Sequence, residues 1–277
     1  MLKINEIYNL AYITEEEDKT PKNFVMGFSA RHGGMSGGHL ESLNMSFNRG
    51  DEFMNVVENY RRFSSALELQ SNLIYVNHQV HGDKIRIITE ETLNEFPLKT
   101  GYHEEIQYDA SITNCKGVTL TVTHADCIPV IFFDEENHCI GAAHSGWKST
   151  ALDIAGKTAL AMKDNFKTDL KKLKVWIGPG ICKECFQVRE DVYKHFSKYT
   201  EMTEKISEEH YIIDMKNIIK VSLCEIGVSE ENIKDFELCT CCNSGLFFSH
   251  RRDKGATGAM SAFVAMRKDK DNEYEEK

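Results

Sequence analysis

The chain has 277 residues, enough for one large α/β domain or two small ones. No apolar run is long enough to cross a bilayer, and the first residues lack a secretion signal's charged-then-apolar layout, so no membrane partner and a cytoplasmic location are expected. A net charge of −10 repels phosphate backbones and excludes general nucleic-acid binding, and nine cysteines without a secretion signal argue against a disulfide framework.

In chain order, "FVMGFSARHGGMSGGHLESLNMSFNRGD" starts as a strand and becomes a Gly-rich loop holding Gly33, Gly34, Gly37 and Gly38. Its spacing matches neither a dinucleotide-binding turn nor a P-loop. Val56, Val57, Tyr60, Phe63 and Leu67 recur at helical spacing and predict a helix over about 52–68. "LIYVNHQVHGDKIRIIT" reads as two short strands around "HQVHGD", and "GVTLTVTHADCIPVIFFD" as strand, turn, strand. "HCIGAAHSGW" is a strand running into a helix, which Ser149 or Thr150 would cap and which carries Leu152, Ile154, Ala155, Ala159 and Met162. "LKVWIGPGI" is a strand ending in a Gly-Pro-Gly turn. Helices follow near 189–198 and from an Asp214 N-cap to Gly227. "GLFFSHRRDKGATGAMSAFVAM" predicts two strands around a polar loop, and 268–277 a frayed, charged tail. Strands and helices alternate irregularly, which predicts a single mixed α/β domain over 1–277.

Three side chains at strand ends can carry chemistry: His81, Cys127 and His144. Two imidazoles and a thiolate suit zinc, with one position left for water or substrate. Without His81, the same set is a Cys–His dyad in which an imidazole activates a thiol. Core packing of all three is the bland alternative, and spacing does not choose among them. Asp126 adjoins Cys127 and could orient a ligand or move a proton; His124 and His78 lie in the same loops.

A second set of thiols, Cys182 and Cys185 in "CKEC" with Cys239, Cys241 and Cys242 in "CTCC", could hold a structural zinc, but adjacent cysteines ligate one ion poorly, which favours packed, reduced thiols. Arg251, Arg252 and Lys254 in "SHRRDKGATG", with Arg31, form an anion-binding candidate or a solvated loop. Asn44, Ser46 and Asn48 offer hydrogen bonds or turn chemistry, and Phe247 and Phe248 a base-stacking surface or core.

Taken together and in order, "FSARHGGMS…SLN", "QVHGD", "YDASIT", "THADCIPV", "AAHSGWKS", "IGPGICKECFQV", "CT" and "FFSHRRDKGATG" resemble the YfiH/YlmD-like family, also called laccase-domain or polyphenol-oxidoreductase proteins. The resemblance spans about residues 24–264. It implies a layered α/β/β/α single domain. It also implies a zinc-dependent purine nucleoside phosphorylase, cleaving adenosine, inosine, guanosine or methylthioadenosine with phosphate and deaminating adenosine. The family's zinc-binding positions fall on His81, Cys127 and His144. Phosphate would lie near Arg31, Asn44, Arg251 and Arg252, and Cys127, His144 and Asp126 would be catalytic. This sequence departs from the family at Ala259 and His250, which stand where Arg and Tyr are frequent. Eleven scattered histidines do not supply the several coppers of a multicopper oxidase, so copper fits less well than zinc. Two other readings remain: a cysteine hydrolase or deamidase using Cys127 and His144, and a factor that edits peptidoglycan precursors. The expected partners are purine nucleosides and phosphate, with a homodimer as a candidate assembly.

Overall fold

The computed structural model describes residues 1–5, 8–16, 20–69 and 73–268. The tail expected to fray lies, from residue 269 on, outside the described residues. The strands are β1 (Leu2–Asn5), β2 (Leu10–Ile13), β3 (Phe24–Ser29), β4 (Leu73–Val76), β5 (Ile85–Ile88), β6 (Ala110–Thr113), β7 (Val118–His124), β8 (Ile128–Asp134), β9 (Cys139–Ser145), β10 (Lys174–Ile177), β11 (Gln187–Val188), β12 (Thr203–Lys205), β13 (Tyr211–Ile213), β14 (Ile233–Asp235) and β15 (Met260–Met266). The helices are α1 (Phe53–Ala66), α2 (Trp147–Ala151), α3 (Ile154–Phe166), α4 (Glu190–Tyr193) and α5 (Met215–Glu225).

Two mixed six-stranded sheets form the centre, in the orders β1-β2-β3-β15-β7-β4 and β14-β10-β8-β9-β6-β5, and β11-β13-β12 make a small third sheet. Most neighbours are antiparallel; β4 with β7, β5 with β6 and β10 with β14 are parallel. The inner faces of the two large sheets meet in one apolar layer that joins Met26, Phe28, Leu120 and Val264 of the first to Ile131, Phe133, Ala142 and Trp176 of the second. This inner face explains why β8 is buried along its whole length rather than alternating.

Each outer face is covered by helices. Helix α1 turns Val56, Tyr60 and Phe63 onto the first sheet, with Phe63 edge-on to Phe263 at 4.6 Å. Burying a ring such as that of Phe63 contributes roughly 1.5–3 kcal/mol. Helices α3 and α5 cover the second sheet through Ile154, Ala159, Met162, Ile218 and Leu223. Gly141 lets α3 approach closely, because a Cβ there would come within 3.2 Å of the Met162 sulfur. The layers therefore run α/β/β/α, as expected.

Three local expectations change. The helix after β9 is two helices. Gly146, not Ser149 or Thr150, stands at the N-cap of α2, and Asp153 caps α3 by accepting the Gly156 N–H. Leu152, at the break, is exposed because it belongs to neither helix's inner face. The stretch "GLFFS" is not a strand: Phe247 and Phe248 sit in irregular chain and fill the inter-sheet core with no exposure, so only β15 remains of the expected pair. The helix expected over 189–198 keeps only the residues of α4 as α-helix and continues as turns.

Candidate metal centre and substrate cleft

Strand register builds the site. Strand β8 begins at Ile128 opposite Ser145, with Pro129 opposite His144, so Cys127 emerges beside the end of β9. Strand β6 begins at Ala110 opposite Ala143, which puts Asp109 next to His144; the His144 N–H donates to the Asp109 carbonyl at 2.7 Å. Strand β5 lies parallel to β6, so the turn that leads into it, residues 80–84, falls against Asp109. The connection from β7 to β8 crosses from one sheet to the other at Ala125–Cys127. Four segments far apart in sequence thus meet at one sheet end.

At that point the ligand atoms of His81, Cys127 and His144 lie within 4.8 Å of one another. His81 Nε2 is 3.8 Å from Cys127 Sγ, and the two imidazoles meet edge to face at 4.8 Å between centroids. Asp109, fully buried, organises them. One carboxylate oxygen bonds His144 Nδ1 at 2.9 Å, which leaves Nε2 for the cluster. The carboxylate also accepts the backbone N–H groups of Val80, His81 and Gly82, at 3.2, 2.9 and 2.7 Å. Those bonds hold His81 in the left-handed region, at φ +60°. Gly146 is required by space: a Cβ there would lie 2.7 Å from the His81 ring and 3.0 Å from Cys127 Sγ.

The electrostatics suit a thiolate. Burial alone would raise the Cys127 thiol, but the charge of His144 and hydrogen bonds from both histidines lower its pKa to about 6. Burial alone would lower His144, but the Cys127 thiolate and Asp109 raise it to about 9. Asp109 is held below the usual carboxylate range: its burial opposes this, and His144 with the Gly82 and His81 N–H groups outweighs it. A soft thiolate, two imidazoles and a carboxylate orienting one imidazole match a three-ligand zinc site with its supporting shell. Among the described residues no histidine-rich, multi-ion copper arrangement occurs; the metal-capable clusters are this one and a set of four cysteines.

The cluster opens into a cleft of about 640 Å³, an ordinary size for a small-molecule site. Phe47, Tyr102, Trp147 and Phe186 give it aromatic walls, and Arg49, Lys148 and Arg251 bring positive charge. Phe47 and Tyr102 stack at 4.7 Å, and the Tyr102 hydroxyl is fixed by Asn48 and His78. His124 also lines the cleft. It is almost fully buried, and among the described residues neither ring nitrogen has a hydrogen-bond partner. Burial first, and the charge of His144 second, lower its pKa to about 3, so it is neutral.

The remaining expected site residues divide. Asp126 lines the cleft at φ +95°, but Thr240 Oγ1 and the Arg251 N–H donate to its two oxygens at 2.7 Å each, so it ties loops together. Arg251 lines the cleft while donating to the carbonyls of Cys185 and Gln187. Arg31, Asn44 and Arg252 lie outside the lining. Arg31 donates to the carbonyls of Glu41 and Ser244 above the Phe248 ring. Arg252 pairs with Asp253 and donates to the carbonyls of Thr240, Cys241 and Phe247. Asn44, fully buried, bridges Ser46, Asp51 and the Ala259 N–H. Groups of the chain itself, backbone carbonyls and carboxylates, occupy these three side chains. Reading the sequence missed Asp109, Gly146 and Arg49. Asp109 stands in "YDASIT", where its one signal is an acidic residue just before a strand.

A layered α/β/β/α enzyme fold with a His–Cys–His centre at one sheet end defines the class. The family described as "Multi-copper polyphenol oxidoreductase laccase" matches residues 25–267, and the chain belongs to that family. It is 32% identical to "Purine nucleoside phosphorylase YlmD" of Geobacillus stearothermophilus, over 88% of this chain and 91% of that protein. It is 30% identical to "Purine nucleoside phosphorylase YfiH" of Escherichia coli, over 88% and 94%. It is 32% identical to "Purine nucleoside phosphorylase LACC1" of Mus musculus over 89% of this chain, and the match spans 56% of that longer protein. The crystal structure of YlmD from Geobacillus stearothermophilus superposes with a TM-score of 0.84 at 31% identity, covering 93% of this chain and 100% of that one.

Proposed function

We propose that the chain is a zinc-dependent purine nucleoside phosphorylase that accepts adenosine, inosine, guanosine and methylthioadenosine and also deaminates adenosine. The observation that carries the reading is the convergence of His81, Cys127 and His144 at the cleft floor. The names of relatives about 30% identical support the substrate class.

His81, Cys127 and His144 would hold zinc, which when bound would supply a Lewis acid. The chain's own groups do the rest. Phe47, Tyr102 and Trp147 offer flat surfaces to a purine ring, and Arg49, Lys148 and Arg251 offer charge to phosphate. Phosphorolysis breaks the bond between the purine nitrogen and the sugar carbon, joins phosphate to that carbon and returns a proton to the base. Neutral His124 carries one N–H and one lone pair, and we assign it hydrogen bonding to the purine base rather than proton transfer, for which a pKa of about 3 makes it too weak a base. Of the three expected arginines, Arg251 remains as the phosphate contact because it alone lines the cleft.

The test is metal analysis of the purified protein joined to incubation with adenosine, with and without phosphate. Phosphate-dependent release of adenine supports phosphorolysis, and inosine supports deamination. Neither product from zinc-loaded protein refutes the proposal.

One observation favours a second reading. Cys127, His144 and Asp109 stand in nucleophile–base–orienter order, with the thiol lowered to about 6. His81 is the third donor that this reading leaves unused. Metal-free protein that loses activity on alkylation of Cys127 would select it.

A further inference from the structure

We propose that Cys182, Cys185, Cys239 and Cys242 form a second metal centre, a structural zinc site of four thiolates. It lies apart from the cleft floor and does not rest on the reading given above. All four sulfurs are within 4.8 Å of one another. The Cys185 and Cys242 sulfurs are 3.5 Å apart, well beyond the ~2.05 Å of a disulfide. Tetrahedral zinc with bonds of about 2.3 Å sets its sulfurs about 3.8 Å apart. A multi-iron cluster would spread them further.

The sequence spacing becomes clear once one cysteine is set aside. The donors are two C-x-x-C pairs, 182/185 and 239/242; Cys241, which packs against the apolar core and neighbours Cys185, is not one of the four whose sulfurs converge. The adjacent-cysteine objection to "CTCC" therefore falls on a residue outside the site. The pairs are brought together by a short parallel bridge between Gly180 and Cys239, with Gly180 N–H donating to Leu238 and Thr240 N–H to Gly180, both at 3.1 Å. Each segment then turns back on itself: Phe186 N–H donates to the Cys182 carbonyl at 3.0 Å, and Asn243 N–H to the Cys239 carbonyl at 3.2 Å. Buried Cys239 Sγ accepts the backbone N–H groups of Cys182 and Cys242 at 3.3 and 3.4 Å, the kind of support that metal-bound thiolates receive. Cys242 is exposed, which gives an ion a way in. The ion would staple two loops that have little regular structure of their own. Those loops carry Thr240, which holds Asp126, and the carbonyl of Cys185, which holds Arg251.

The experiment uses the full chain carrying His81→Ala and Cys127→Ala, which removes the donors of the first centre. Metal analysis should still find one zinc per chain. X-ray absorption at the zinc edge should show a shell of sulfur alone, four atoms at about 2.3 Å. Adding Cys185→Ser and Cys242→Ser should remove that ion. Should this last variant not fold, the absorption spectrum of the first variant decides by itself. Zinc-free His81→Ala/Cys127→Ala protein, a nitrogen-containing shell, the red absorption of an iron tetrathiolate, or a disulfide among these cysteines in freshly purified protein would each overturn the proposal.

Discussion

Asp109 Oδ1 lies 2.9 Å from His144 Nδ1, and both side chains are almost wholly shielded from water. The same carboxylate anchors the turn that carries His81. One residue thus sets the tautomer of one donor and the backbone of another. Asp109→Asn retains an oxygen but removes the charge and puts an amide N–H₂ against donors. We expect zinc affinity at the first centre to fall roughly 10- to 100-fold, as for other supporting-shell substitutions, measured by competition with a chromogenic chelator. An unchanged affinity would show that Asp109 is only a packing residue.

Gly146→Ala should be as damaging as loss of a ligand. The added methyl would sit 2.7 Å from the His81 ring and 3.0 Å from Cys127 Sγ, and backbone rather than flexible side chain carries it. The φ of Gly146, −72°, is open to alanine, so the chain should fold. The expected result is a normal thermal midpoint for the metal-free protein with the first zinc lost. Full zinc content in this variant would contradict the packing described.

The thiol predicts a pH profile. In metal-free protein, Cys127 titrates at about 6, below its usual range, so its reactive thiolate accumulates as pH rises through 6. Alkylation of the peptide containing Cys127, followed by mass spectrometry, should reach half its maximal rate near pH 6. A buried thiol such as Cys139, pushed up to about 12, should stay unreactive. A midpoint for Cys127 near 9 would show that His144 does not bear the positive charge.

Zinc binding should release protons in the same direction. His144 is raised to about 9, so between pH 6 and 9 the metal-free site holds one proton, on His144, that zinc must displace. Apparent affinity at the first centre should therefore rise about tenfold per pH unit across that window and more steeply below it. Calorimetry in buffers of different ionisation enthalpy measures the proton count.

Asn44 and Arg251 should separate cleanly. Asn44→Ala leaves the Ala259 N–H without its partner and removes one of the hydrogen bonds to Asp51 Oδ2, which keeps the Ser36 hydroxyl, at a cost of roughly 1–3 kcal/mol in denaturant unfolding. It should leave KM for phosphate unchanged. Arg251→Ala removes a cleft cation and should raise that KM. The reverse pattern would return Asn44 to the phosphate site.

Much of this was legible from residue order. The strand runs of β7, β8 and β9 and the spacing of α1 are local patterns, and local sterics and burial periodicity decide them. His81, Cys127 and His144 stood out because each closes an apolar run with a metal-capable side chain. Asp109 did not, since its role exists only once β6 pairs with β9. Arg31 and Arg252 looked like anion binders because a sequence shows their charge but not the carbonyls that occupy it.

Taken by itself, the order of amino acids determined most element types and the layered mixed α/β architecture and pointed to three candidate donors for the first centre, all from short-range pattern or from motifs read in series. Only the tertiary structure decided which side chains face the cleft, that Gly146 is a spacer, and that Cys182, Cys185, Cys239 and Cys242 converge while Cys241 does not. The physical reason is that sheet register and loop bridging act between residues tens of positions apart, and a sequence alone carries no sign of which of those positions will touch.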